Sequence, residues 1–146
     1  SDGAGYDTGT SYLDIAYAIK QYGISPAIDL KELWKRIVFS IAITNTDDHL
    51  RNHGFIVEKG GIRLSPLYDV NPNPNGTGLA LNIDEYDNSL DFNVAIDASE
   101  YYGLTKDEAA KEVKETKENI GLWRSIASKV GVSHSEINAM EGCFRL

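Results

Sequence analysis

A mainly α-helical fold with a small β-hairpin inserted into it is what this sequence predicts, and three observations carry the prediction. Leu30, Leu33, Trp34, Ile37, Val38, Ile41 and Ala42 recur at i, i+3, i+4, i+7, i+8, i+11 and i+12, an apolar face longer than three helical turns. The period then changes: Gly54-Phe55-Ile56-Val57-Glu58 and Ile62-Arg63-Leu64 flank Lys59-Gly60-Gly61, the pattern of two short strands around a tight turn. Helical punctuation returns with Thr105 and Glu108, three residues apart.

Taken in order, residues 1–10 hold three glycines and predict a flexible lead-in or the stub of an upstream part, leaving 11–146 as one domain. Ser11 caps a helix reaching about Tyr22, with Tyr12, Ile15, Ala16 and Ile19 on one face and Gly23 past its end. Tyr6, Tyr12, Tyr17 and Tyr22 recur every five or six residues, which packing in a core or an interface explains best. After the Ser25-Pro26 turn, Asp29 and Glu32 form a capping box that opens the long apolar helix. Beyond the hairpin, Asn71–Gly76 is loop, Leu79, Leu81 and Ile83 make a brief strand, and the acidic 84–93 stretch is surface. A charged helix follows Thr105 as far as Glu118. An apolar one carries Ile120, Trp123, Ile126, Ala127 and Val130 and stops at Gly131. Ser133 and Glu136 box a last helix with Ile137 and Met140.

Bulk properties narrow the function. A chain of 146 residues is one domain's worth, and 42% hydrophobic with 25% charged residues is ordinary for a globular protein. A net charge of -8 with no basic run works against direct nucleic-acid binding. Cys143 is the single cysteine, so no internal disulfide forms. No apolar run spans a bilayer and no signal peptide opens the chain, so the expectation is a cytoplasmic protein with no membrane association.

The chemistry is concentrated just after the apolar helix. In Asn45-Thr46-Asp47-Asp48-His49-Leu50-Arg51-Asn52, a carboxylate at Asp47 is followed five residues on by the Asn52 amide; Asp69 comes later, after the hairpin. Phosphoryl transfer uses that order: one carboxylate orients a hydroxyl, and an amide oxygen with a second carboxylate holds magnesium against nucleotide phosphates. The protein-kinase catalytic loop has the same interval, yet here no His-Arg precedes Asp47 and no Asp-Phe-Gly follows. Each residue has a plainer reading too. Asp47, Asn52 and Asp69 are good turn residues, Arg51 suits solvent, and His49 either holds Asp47 in place or simply packs. Asp48 and Asp47 diverge as neighbours, so one of the two faces the site, and the five-residue interval selects Asp47. His49 and His53 have the spacing of a helical zinc pair, but Leu50 stands where the glutamate belongs and Gly54 ends any helix. Asn71, Asn73, Asn75 and Gly76 imitate half a calcium loop, but the twelfth position is Asn82 and two prolines intervene.

Thr44–Phe55 (TNTDDHLRNHGF) and Leu64–Pro72 (LSPLYDVNP), with Ser11–Ala16 (SYLDIA) before them, resemble the C-terminal part of HipA-type serine/threonine kinases, toxins of bacterial toxin–antitoxin modules. The resemblance covers residues 9–92 closely and the helical tail more loosely. It implies the helical C-lobe of a protein-kinase-like fold, with Asp47 catalytic, His49 within the same signature, and Asn52 and Asp69 binding magnesium beside ATP. It further implies phosphorylation of a protein hydroxyl, in the best-known case on an aminoacyl-tRNA synthetase, causing growth arrest that a small DNA-binding antitoxin counters. No glycine-rich phosphate loop or strand lysine precedes Ser11, so the expectation is a part of a longer kinase, inactive by itself. Two other functions fit the same residues: a metal-dependent phosphohydrolase using Asp47, Asp48, His49 and His53, and a non-catalytic interaction module docking through its acidic surface.

Overall fold

The computed structural model describes residues 11–46, 48, 53–66, 73 and 76–146. Helices α1 (Tyr12–Tyr22) and α2 (Pro26–Ile43) lead into strands β1 (Phe55–Glu58) and β2 (Gly61–Leu64). Helix α3 (Phe92–Asp97) and a 3-10 turn, Ser99–Tyr102, come next. They are followed by α4 (Lys106–Gly121), α5 (Trp123–Lys129), α6 (His134–Met140) and a second 3-10 turn, Glu141–Cys143. The fold is mainly helical with one antiparallel hairpin, as expected. Among the described residues no helix is long and apolar enough to cross a membrane.

Helix α2 is the axis of the core. Leu33, Trp34, Ile37, Val38, Ile41 and Ala42 are all fully buried, and all but Ala42 share one cluster with Tyr12, Ile15, Ala16 and Ile19 of α1 and Ala109 and Val113 of α4. Burying an apolar side chain of this size stabilises by roughly 1.5–3 kcal/mol each, so this face dominates the fold's energetics. Ser11 caps α1 by accepting from the Leu13 N–H at 3.0 Å, while the Asp14 carboxylate accepts from the Ser11 N–H at 3.3 Å. Of the regularly spaced tyrosines, Tyr12 lies in the core, Tyr17 and Tyr22 are exposed, and Tyr6 lies outside the described residues.

Four sequence expectations are corrected. Helix α2 starts at Pro26, not Asp29, because proline at the first position needs no hydrogen-bonded N–H. The Asp29 carboxylate is thereby free to reach across and accept from the Leu64 N–H at 2.9 Å. Leu79, Leu81 and Ile83 are buried as predicted, but they form no strand; only isolated bridges occur, at Gly78–Ser89 and Ser11–Asn82. The chain instead turns back at once, with Asp84 Oδ1 accepting from the N–H groups of Tyr86 and Asp87 at 2.8 Å. The acidic stretch ends in helix α3, whose N-cap Asp91 accepts from the Asn93 N–H; six residues are too few for a period to show. Finally, the Thr105–Glu108 box is complete, whereas Ser133 accepts from the Glu136 N–H without the reciprocal bond.

The hairpin pairs Phe55 with Leu64 and Glu58 with Gly61 around Lys59-Gly60. It docks on the α1–α2 link, where the Ile24 N–H donates to the Ile62 carbonyl at 2.9 Å. Gly61 must be glycine there: a Cβ would lie 2.3 Å from the Tyr22 carbonyl oxygen, at a φ of +152°.

Candidate active site

Helix α2 ends in a Schellman turn that hands the chain to the motif. The Thr44 N–H donates to the Ile41 carbonyl and the Asn45 N–H to the Ser40 carbonyl, the 5→2 and 6→1 bonds of that motif. The left-handed position usually taken by glycine is occupied by Thr44, at φ 57° and ψ 49°. A residue with a Cβ pays roughly 1–2 kcal/mol there. Asn45 and Ser40 are buried below it, with the Asn45 amide 3.5 Å from the Ser40 hydroxyl. Gly76 passes so close that a Cβ would meet the Thr46 methyl at 2.4 Å.

Asp48 turns inward. Its Oδ2 accepts from the Tyr12 hydroxyl at 2.6 Å and meets His53 Nε2 at 2.8 Å. The other ring nitrogen of His53, Nδ1, lies 3.4 Å from an Arg36 guanidinium nitrogen. Arginine only donates, so Nδ1 accepts and the Nε2 proton points at Asp48. Arg36 also donates to the Ser65 carbonyl and pairs with Glu32 at 3.3 Å. Tyr12 packs edge-on against the His53 ring, with centroids 5.8 Å apart. Burial, then the charge of Asp48 and its hydrogen bond, push the Tyr12 phenol well above its ordinary range, so it stays a donor.

The network ties together positions distant in sequence. The Asp48–His53 contact closes the two ends of the 48–53 segment on each other, and Arg36 joins that closure to Ser65, at the exit of β2. Asp47, His49, Asn52 and Asp69, the residues expected to do the chemistry, lie outside the described residues, as do Leu50 and Arg51. Asp48, the neighbour that the five-residue interval passed over, points into the core against Tyr12 and His53.

The donor set suits a hard cation. Asn52 and Asp69 would offer an amide and a carboxylate oxygen, the ligands magnesium prefers. At the start of the same segment, Asn45 Oδ1 and Asp48 Oδ1 are buried with no hydrogen-bond partner among the described residues. A zinc pair of His49 and His53 fits poorly, because both nitrogens of His53 are engaged by Asp48 and Arg36. Among the described residues no group of three or more His, Cys, Asp or Glu could hold a metal.

Sequence reasoning missed Tyr12, Arg36 and the inward role of Asp48 and His53. No signal in the sequence marked them: Arg36 stands beside a second cation, Lys35, between Trp34 and Ile37, and only tertiary contacts decide which of the two is buried.

The family model for the HipA-like C-terminal domain matches residues 1–124, and the chain belongs to that family. A curated relative from Haemophilus influenzae, named "Putative kinase", is 32% identical over 134 residues, 85% of this chain and 37% of that protein. The chain thus spans little more than a third of that relative's length.

Proposed function

We propose that this chain is the catalytic-loop lobe of a HipA-like serine/threonine kinase, transferring phosphoryl from Mg-ATP to a protein hydroxyl. The observation that carries the reading is the closure just described. The buried Asp48–His53–Arg36–Ser65 contacts link two described residues of the first motif, Asp48 and His53, to Ser65 in the second, which supports a shared site. In this reading Asp47 accepts the proton of the substrate hydroxyl and orients it, and His49 holds Asp47 in place. Asn52 and Asp69 hold magnesium, which supplies charge neutralisation on the β- and γ-phosphates. Membership of the family and the name of the relative support kinase chemistry; the toxin role, a translation-related protein substrate and a small DNA-binding antitoxin are part of the same proposal. With a charge of -8 the lobe itself is not expected to bind nucleic acid.

The rival phosphohydrolase would use Asp47, Asp48, His49 and His53 as a metal cluster. Two of those four are buried and committed to each other, to Tyr12 and to Arg36, which disfavours it.

In the complete gene product, Asp47→Ala should lower phosphoryl transfer to a protein Ser or Thr by roughly 10²–10⁴-fold, as loss of a general base does. Asn52→Ala and Asp69→Asn should raise the magnesium concentration needed. These 146 residues alone, which contain no glycine-rich phosphate loop, should bind nucleotide weakly and transfer little. Activity untouched by Asp47→Ala would refute the assignment.

A further inference from the structure

Thr44 is the hinge between α2 and the motif, and its strained conformation has to be held by something outside the turn. The Thr44 hydroxyl, buried with the rest of the residue, donates to the Cys143 carbonyl at 2.7 Å. Two residues further, the Arg145 N–H donates to the Ala42 carbonyl at 2.7 Å, satisfying an oxygen that the end of α2 leaves without a helical partner. Between these bonds Phe144 stacks on Trp123, with centroids 4.3 Å apart and planes 19° apart. It joins Ala42, Ile43 and Ile120 in a second apolar cluster. Glu141 pairs with Arg124 at 3.1 Å, anchoring the start of the same segment to α5. On the other side, the Asn73 N–H donates to the Thr44 carbonyl at 2.8 Å.

We infer that residues 141–146 are a positioning brace, which holds Thr44 left-handed and so aims the chain through Asn45 and Thr46 into the catalytic segment. The brace lies beyond residues 1–124, the part the family model covers. Its meaning for catalysis rests on the kinase reading; its effect on Thr44 does not. A glycine at this turn would take the same conformation unaided. Threonine makes the turn conditional on the Cys143 carbonyl and on the packing of Phe144 that keeps it there.

The logic predicts a specific interaction between two distant substitutions. In the 146-residue chain, Phe144→Ala, or Arg145→Pro as a milder loss of one N–H, should move the Thr44 Cα and Cβ NMR shifts away from left-handed values. The apparent affinity for Mn2+, used alone as the probe, should fall about tenfold, the lower end of the loss seen when groups that orient metal ligands are removed. Adding Thr44→Gly to either variant should restore most of the Mn2+ affinity, with the melting temperature left near that of the single variant. A general packing role predicts something else: equal losses with and without Thr44→Gly. That result, or unchanged Thr44 shifts in both Phe144→Ala and Arg145→Pro, overturns the brace. If the unaltered chain binds no Mn2+, the kinase reading is what fails, and the Thr44 shifts alone then decide for or against the brace.

Discussion

At the scale of single residues, the account turns on a buried carboxylate. Asp48 satisfies one oxygen twice, through Tyr12 and His53, and the other has no hydrogen bond among the described residues, so the buried carboxylate depends on both partners. Breaking such a buried pair costs roughly 3–5 kcal/mol, and Asp48→Ala should lose about that much in urea unfolding. A loss below 1 kcal/mol would mean the network is ornamental. Tyr12 adds a pH signature. Its phenol is raised in the folded protein, so the stabilisation is complete below the unfolded tyrosine value, about 10. It disappears as pH rises through the higher folded value. Stability should therefore fall on the alkaline side, and Tyr12→Phe should flatten that fall while costing roughly 1.5–3 kcal/mol at neutral pH. None of this was readable from sequence, where Asp48 and His53 look like two more polar residues in a loop. A side chain's direction is decided by partners 36 positions away for Tyr12–Asp48 and 17 for Arg36–His53.

At the scale of elements, long periodic pieces were legible and short ones were not. The apolar face of α2, the hairpin around Lys59-Gly60 and the complete Thr105 box all follow from local rules. Helix α3 and the non-strand at 79–83 depend on contacts that local rules omit: Trp34 donating to the Ala95 carbonyl at 2.8 Å, and Tyr102 donating to the Ile83 carbonyl at 2.6 Å. Asp29 illustrates the difference. Read as a cap for its own helix, it instead clamps the hairpin to α2 through Leu64. Asp29→Ala should thus cost about 1–2 kcal/mol and expose the β2 amides to faster hydrogen exchange, leaving α2 protection unchanged; fraying of α2 instead would restore the capping role. In α4, hydrogen bonds from Thr105 hold the Glu108 carboxyl below its usual range. That contribution is present above the unfolded glutamate value and is lost as pH falls through the folded one.

At the scale of the whole molecule, the fold is a helical platform from which the two motif segments lead off. Helix α2 carries the first through Thr44, and the hairpin, pinned by Asp29 and Arg36, carries the second past Ser65. The family was legible because its two motifs are dense and specific; the supports were not, because Tyr12, Arg36 and the 141–146 brace lie far from them in sequence. The central claim is that Asn52 and Asp69 share one divalent-cation site. Mn2+ titrated into the 146-residue chain during NMR tests it directly, since paramagnetic broadening marks whatever lies near the ion. The account predicts that Thr46, His53 and Ser65 amides broaden together, and that Asn52→Ala with Asp69→Asn abolishes the effect. Broadening confined to one of those segments, or surviving both substitutions, would contradict it.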